Sequence, residues 1–124
     1  TEGRVSRAED RKGAERRGRK GELRAAWWLR LYGWRILAHR VKTPRGEIDL
    51  IARRGRTVAF VEVKWRGQAA QLHDAIDEYR LRRVAAAAEA AMARYVREGE
   101  IARIDVLLLA PGRFPHHIVN AWMP

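Results

Sequence analysis

The chain of 124 residues contains no cysteine. Disulfide bonds and thiolate zinc sites are therefore excluded, which suits a reducing compartment. No apolar run approaches the ~20 residues that span a bilayer, and the first residues lack the apolar segment of a signal peptide. We expect a cytoplasmic protein without a membrane partner.

Acidic side chains are also scarce. Fifteen Asp and Glu stand against 26 Lys and Arg, giving a formal charge of +11 and a pI near 11.3. Such a charge favours a polyanionic partner, nucleic acid before a membrane surface. The alternative is arginine usage driven by genomic base composition. The chain also lacks a P-loop, a nucleophilic cysteine and a dinucleotide-binding fingerprint, so few competing chemistries remain.

Apolar side chains are rare in residues 1–20, which contain eight basic and four acidic side chains. We expect a basic, flexible arm there. It either helps to hold a phosphate backbone or is solvated without a specific role. The length of residues 21–124 suits one α/β domain with its own core.

A helix is expected from Gly21 to Tyr32. Apolar residues recur there at three- and four-residue steps, namely at Leu23, Ala26, Trp27 and Leu31. Trp27 and Trp28 point to different helix faces, so we expect one in the core and the other exposed, where it can stack on bases.

Residues 46–64 carry the most informative pattern. Two apolar runs, Ile48–Ala52 and Thr57–Val63, flank the polar, glycine-containing residues 53–56. This arrangement predicts a β-hairpin. Apolar residues also predict a strand from Trp34 to Arg40 before the hairpin.

Four charged side chains interrupt the hairpin. Because side chains alternate along a strand, Glu47 and Asp49 share one face, as do Glu62 and Lys64. A loop of two or four residues would place Asp49 opposite Phe60 and diagonal to Glu62, with both carboxylates on one side. A loop of three residues would place them on opposite faces.

A solvated polar face on an edge hairpin is the simpler explanation of these charges. The neighbouring Val58, Phe60, Val61 and Val63 instead indicate a strand buried on both faces. Unpaired charges are costly in such a strand, which favours a functional site.

Asp49 followed by Glu62-Val63-Lys64 on the next strand resembles the signature of the PD-(D/E)XK nuclease superfamily. The flanking words GEIDLIA and VAFVEVKWR are similar, more narrowly, to the YraN-like family of uncharacterised bacterial proteins, with a predicted endonuclease fold like that of Holliday junction resolvases. The resemblance covers residues 18–122. It implies an α/β fold of the restriction-endonuclease type, a three-layer α/β/α sandwich with a central mixed β-sheet.

The resemblance also implies a metal centre. Asp49, Glu62 and the main-chain carbonyl of Val63 would hold one or two Mg²⁺ or Mn²⁺ ions, and Lys64 would orient water or stabilise the developing anion. Glu22 matches the acidic residue of the family's first helix and is an accessory ligand in this interpretation. Its alternative role is interaction with the helix dipole.

Glu47 is either an outer-shell residue of that centre or a structural hairpin residue. The expected activity is hydrolysis of phosphodiester bonds in nucleic acid, structured or branched DNA before RNA. The alternatives are a non-catalytic nucleic-acid-binding protein on the same scaffold and a small interaction protein whose basicity keeps it soluble.

Five basic residues are expected to contact nucleic acid: Arg40, Lys42, Arg45, Arg66 and Arg80. Arg80 interrupts the apolar stripe of a helix expected to end at Glu98, and its alternative role is that of a solvent-reaching arginine. That stripe comprises Ile76, Val84, Ala88, Ala91, Met92 and Tyr95. Trp65 follows Lys64 and is expected along the substrate groove. Junction-cutting enzymes act as dimers, so a homodimer is possible, although no self-complementary apolar face is evident in the sequence.

The end of the chain predicts a buried strand, Ile104–Leu109, and a short edge strand, Ile118–Trp122. Asp105 and His117 lie in words that resemble the closing words of the family. We expect them to serve the fold rather than catalysis.

Overall fold

A computed structural model of the chain describes residues 21–65 and 78–122. Its elements are a helix α1 at residues 21–31, then β1 (Arg35–Thr43), β2 (Gly46–Arg54), β3 (Thr57–Trp65), α2 (Glu78–Tyr95), β4 (Ile101–Leu109) and β5 (His116–Ile118). The protein is α/β, as expected. None of the helices in these two ranges is long and apolar enough to cross a membrane.

The five strands form one mixed sheet in the order β1-β2-β3-β4-β5. Neighbouring strands are antiparallel except β3 and β4, which are parallel. Parallel neighbours require a crossover, and α2 lies within the segment that connects them. This topology makes β3 the central strand.

Successive buried residues of β2 and β3 pack alternately against α1 and α2. Leu50, Ala52, Ala59 and Val61 pack with Ala25, Ala26 and Leu29 of α1. Ile51, Val58 and Phe60 pack instead with Ala87, Ala88 and Ala91 of α2. Because successive side chains of a strand point to opposite faces, the two helices cover opposite faces of the sheet.

Gly46 is a position where glycine is required. Its φ of +147° is rarely adopted by residues with a side chain, and a Cβ there would lie 3.6 Å from both the Ala87 Cβ and the Arg83 carbonyl oxygen. The start of β2 therefore passes close under α2.

Several predicted boundaries were wrong by a few residues. The β2–β3 loop consists of two residues, Gly55 and Arg56, because Arg54 already pairs with Thr57. β1 continues to Thr43, α2 ends at Tyr95, and the last strand is His116–Ile118 rather than Ile118–Trp122. The arm at residues 1–20 and the segment 66–77, with Arg66 and Ile76, lie outside the described residues.

The apolar pattern of α1 was misleading. Leu23, Trp27 and Leu31 are 57%, 63% and 76% exposed, whereas the small Ala25 and Ala26 are fully buried. Trp28 packs partly against the core, so the expectation that one tryptophan is inside and one outside is confirmed. In α2, Met92 is exposed and Leu81 is buried instead.

Asp105 is the centre of a buried polar network. Its carboxylate accepts hydrogen bonds from Arg103 Nε and Nη2 at 2.9 and 2.8 Å and from the Asn120 N–H at 2.9 Å. His117 Nε2 lies 2.7 Å from Oδ2. The Trp34 ring lies against Arg103 and His117, so the network joins the segment after α1 to the end of the chain.

This network explains the ionisation of Asp105. Burial alone would raise the pKa of its carboxyl group, but the hydrogen bonds from His117, Arg103 and Asn120 outweigh burial and hold the pKa below its ordinary value. The folded protein therefore favours the ionised carboxylate of Asp105. This agrees with the expected structural role of Asp105 and His117.

Asp105→Asn should lower the free energy of unfolding by about 2–4 kcal/mol at pH 7, because it leaves Arg103 without its buried counter-charge. Since the folded pKa is depressed, the contribution is present above the ordinary value of 3.8 and is lost as the pH falls through the folded pKa. Urea unfolding at several pH values, with His116→Asn as an exposed control, measures both effects. Equal stability of Asp105→Asn and the native protein at pH 7 would contradict a structural role.

Candidate functional site

Asp49 lies where the ladder between β2 and β3 ends. The last pair of this ladder is Leu50 with Val61, and the Asp49 Oδ2 atom then accepts a hydrogen bond from the Val63 N–H at 2.8 Å. The register places Asp49 across from Glu62. The prediction that Asp49 faces Phe60 was wrong, since Phe60 pairs with Ile51. The two loop lengths are not equivalent. A four-residue loop would set Asp49 opposite Phe60, whereas the two-residue loop that forms sets it opposite Glu62.

Glu62 and Lys64 form a buried ion pair on the central strand. They are 8% and 6% exposed, and Lys64 Nζ lies 2.9 Å from Glu62 Oε1. Arg80 Nη2 of α2 lies 3.8 Å from the same oxygen. An edge hairpin with a solvated polar face is therefore excluded.

The carboxyl group of Asp49 has a strongly perturbed pKa. Burial, followed by the nearby charge of Glu62, raises this pKa to about 7, and Glu22 adds to the effect. The hydrogen bond from the Val63 N–H and the charge of Lys64 act in the opposite direction without cancelling it. Burial is thus the main reason that Asp49 resists ionisation, and the Val63 N–H and Lys64 offset it only in part.

Glu22 of α1 reaches the same region and forms an ion pair with Arg40 of β1. Their closest atoms, Arg40 Nε and Glu22 Oε2, are 2.6 Å apart, and the Glu22 side chain is only 13% exposed. The pair raises the pKa of the Arg40 guanidinium. Arg40 has a left-handed backbone with φ of 48°, which is unusual for a residue with a side chain.

Two adjoining cavities, of about 210 and 190 Å³, share Asp49, Glu62 and Arg80 as walls. The first extends along α2 and β2 and is also lined by Gly46, Glu47, Arg83 and Val84. The second extends towards α1 and is also lined by Gly21, Glu22, Val63, Lys64 and Trp65. All predicted metal-site residues therefore border one recess between the two helices.

Arg83 also lines this recess, although the sequence did not predict it there. It lies three residues after Arg80 on the same helix, so the two guanidinium groups are helical neighbours. The three-residue spacing from Arg80 was a signal in the sequence that Arg83 lies on the same helix face.

The other basic residues expected to contact nucleic acid lie on β1 and the β1–β2 turn. Lys42 is exposed and pairs in register with Glu47 of β2. Arg45 Nη1 lies 3.4 Å from Glu89 of α2. Arg40 is ion-paired with Glu22, which lines the recess.

The donor set has the chemistry of a site for a hard divalent cation. Carboxylates of Asp49, Glu62 and Glu22 border one recess, and oxygen donors of this kind suit Mg²⁺ and Mn²⁺. Across residues 21–65 and 78–122, however, no three acidic or histidine side chains converge in a ready-made metal site. Glu62 and Glu22 are paired with Lys64 and Arg40 through one oxygen each, so these basic groups would compete with a cation for the carboxylates.

Residues 21–109 match the family model described as "Uncharacterised protein family UPF0102". The chain belongs to the UPF0102 family. This confirms the YraN-like family expected from the words around Asp49 and Glu62.

Relatives of similar length support the membership. The chain is 70% identical over 111 residues to a UPF0102 protein of Erythrobacter litoralis, covering 90% of this chain and 96% of the relative. It is 63% identical over 114 residues to a UPF0102 protein of Sphingopyxis alaskensis, covering 92% and 98%. A third, from Rhizorhabdus wittichii, is 68% identical over 112 residues, covering 90% and 95%.

Asp49→Asn should stabilise this UPF0102 protein at pH 8 by about 1–3 kcal/mol, because it removes a buried charge that faces Glu62. The folded pKa of about 7 exceeds the ordinary 3.8, so the folded state retains a proton that the unfolded chain loses in this window. The native protein therefore loses stability as the pH rises from about 4 to 7, and the variant does not.

Urea unfolding of both proteins between pH 4 and 8 tests this, with the exposed neighbour Glu47→Gln as the control. A stability difference that does not grow as the pH rises would show that Asp49 is ionised without cost.

Proposed function

We propose that the protein is a metal-dependent nuclease that hydrolyses phosphodiester bonds of nucleic acid, structured or branched DNA before RNA. The observation that carries the proposal is the buried group of Asp49, Glu62 and Lys64 at the end of the central strands. Strongly perturbed carboxyl groups in a cleft are typical of functional sites. The net charge of +11 supports a polyanionic substrate.

We further propose that the fold is the three-layer α/β/α sandwich of the restriction-endonuclease type. Packing of α1 and α2 against alternate residues of β2 and β3 supports it. The positions of the charged residues also support this fold. Asp49 lies on β2, and Glu62 and Lys64 lie two residues apart on the adjacent β3.

In the proposed mechanism, Asp49 and Glu62 hold one or two divalent cations, with the Val63 carbonyl and Glu22 as further donors. When bound, such a cation polarises a phosphate oxygen and lowers the pKa of a water molecule. Lys64 leaves its partner Glu62 and donates hydrogen bonds to the attacking water or to the developing phosphate anion. Glu47 lines the recess, where it would act as an outer-shell residue of the metal centre.

The arginines of α2 bind and orient the substrate in this proposal. Arg80 and Arg83 line the cavity that contains the carboxylates, so they can hold phosphates on either side of the scissile bond. Lys42 and Arg45 extend the basic surface along the sheet edge. The absence of cysteine suits the reducing cytoplasm, where such a substrate is found.

A non-catalytic nucleic-acid-binding protein on the same scaffold is the second candidate. The observation that favours it is that Glu62 and Glu22 are already neutralised by Lys64 and Arg40. In that case the buried ion pairs would stabilise the recess, and the basic surface alone would be functional.

Asp49→Asn and Lys64→Met should each reduce Mg²⁺- or Mn²⁺-dependent cleavage by at least about 100-fold, because each removes a group that acts on the reacting atoms. Both substitutions preserve side-chain size, but Lys64→Met leaves the buried Glu62 without its nearest counter-charge, so urea unfolding of each variant is measured alongside cleavage. Cleavage of labelled linear, single-stranded and branched DNA measures the effect.

Glu98→Ala is the matched control for cleavage, since Glu98 is exposed beside the turn after α2. Cleavage that persists equally in the native protein, Asp49→Asn and Lys64→Met would indicate a contaminating nuclease. Tight binding without cleavage by the native protein under all metal conditions would favour the second candidate.

Arg80→Ala and Arg83→Ala should each weaken DNA binding and reduce the slope of log affinity against log salt by about 1, because each removes one phosphate contact. Arg56→Ala is the control, since Arg56 is exposed in the β2–β3 turn, about 20 Å along β3 from Glu62. Binding titrations without divalent cation, at several salt concentrations, give the slopes. Equal slopes for all three variants would place the phosphate contacts elsewhere.

A further inference from the structure

The outer face of α1 presents large apolar side chains to solvent. Leu23, Trp27 and Leu31 follow one another at four-residue steps and are all more than half exposed. Residues at this spacing lie on one face of a helix. A contiguous row of exposed large apolar side chains marks an interaction surface.

Arginines are interleaved with the aromatic side chains of this surface. The Arg24 guanidinium carbon lies 5.3 Å from the centre of the Trp65 ring, and that of Arg30 lies 5.3 Å from the centre of the Trp27 ring. The single acid among residues 21–31 is Glu22, which is paired with Arg40. The surface is therefore positively charged as well as aromatic.

The surface is continuous with the carboxylate recess. Trp65 lines the cavity that contains Asp49 and Lys64, and Arg24 covers its ring. Trp28 lies one helical turn after Arg24, and its ring centre is 4.7 Å from that of Tyr32 and 5.9 Å from that of Phe114. Tyr32 and Phe114 are 56% and 86% exposed. The helix rises about 12 Å from Arg24 to Tyr32.

We propose that this surface binds a single-stranded segment of nucleic acid that leaves the recess. We call it the α1 aromatic row, defined by Arg24, Trp27, Trp28, Arg30, Tyr32 and Phe114. Aromatic faces stack on the unpaired bases and the arginines contact the phosphates. The inference rests on the proposed function for the role of the recess, and it specifies the substrate class: a nucleic acid with an unpaired strand beside the scissile phosphate.

Charge favours nucleic acid over a second copy of the chain as the occupant. A two-fold contact through α1 would bring Arg24 and Arg30 of one copy against the same face of the other. Each copy carries a net charge of +11, so the two faces repel one another. A duplex is also a poorer occupant, because its bases are stacked on one another and present no free faces to the rings.

The test compares a base-containing strand with a strand that lacks bases. Fluorescence anisotropy gives the Kd of a labelled oligothymidine and of an abasic strand of equal length, in EDTA so that no cleavage occurs. The native protein should bind oligothymidine about tenfold more tightly than the abasic strand. Trp27→Leu should remove most of this preference, and Trp27→Phe should retain part of it.

Leu23→Ala is the matched control, because Leu23 lies on the same exposed stripe one helical turn before Trp27 and has no ring. It should leave the preference for oligothymidine unchanged. Trp27→Leu should slow cleavage of a substrate with an unpaired arm more than cleavage of a fully paired substrate, whereas Leu23→Ala should not change the ratio of the two rates.

Three results would overturn the proposal. One is equal affinity of the native protein for the two strands, and another is an unchanged preference in Trp27→Leu. The third is a sedimentation-detected dimer that dissociates in Leu23→Ala, which would make this face a contact between copies. Because binding is measured without metal, a protein that never cleaves can still confirm the row, and a protein that cleaves can still refute it.

Discussion

The free-energy cost of holding Asp49 and Glu62 together in a buried site constrains the rest of this structure. Two carboxylates face one another where the ladder of the central strands ends, and burial raises the pKa of Asp49 to about 7. The Val63 N–H, Lys64 and Arg80 each offset part of this charge. No part of this cluster is needed to fill the core, since apolar residues of the same size would be cheaper. A polar cluster that costs stability is expected where function requires it.

Asp105 provides the contrast within the same sheet. It is fully buried whereas Asp49 is partly buried, yet Arg103, His117 and the Asn120 N–H satisfy its carboxylate and keep its pKa low. The difference between the two aspartates is one of partners rather than burial. Asp105 faces donors fixed by neighbouring main-chain segments, while Asp49 faces other acids. The first arrangement stabilises a fold, and the second favours the protonated form of Asp49.

Helix α1 connects the site to the surface. Its first turn brings Glu22 to the recess, its alanines allow close packing on β2 and β3, and its larger side chains remain outside. The small residues explain why the helix buries the face that looks less hydrophobic. Ala25 and Ala26 let the helix backbone approach the sheet, and the larger side chains of Leu23, Trp27 and Leu31 are exposed to solvent.

The sequence by itself determined the hairpin, the buried character of β3, the family, and the position of Asp49, Glu62 and Lys64 on two neighbouring strands. These follow from alternation and from short words whose spacing along a strand is set by the extended backbone. The two-residue loop, which sets Asp49 opposite Glu62, depended on whether Arg54 could pair with Thr57 around Gly55, and that is a matter of backbone conformation.

Only the tertiary structure decided the remaining features. The ion pair of Glu22 with Arg40 joins residues 18 positions apart through a left-handed residue in β1, and no local pattern predicts it. The sequence also did not predict which face of α1 points outward, because apolar residues occupy both sides of the helix. The alanine face packs on the sheet because its small side chains fit the space there. Contacts between distant segments depend on the shapes of both segments. The residue pattern of one segment does not specify the shape of the other.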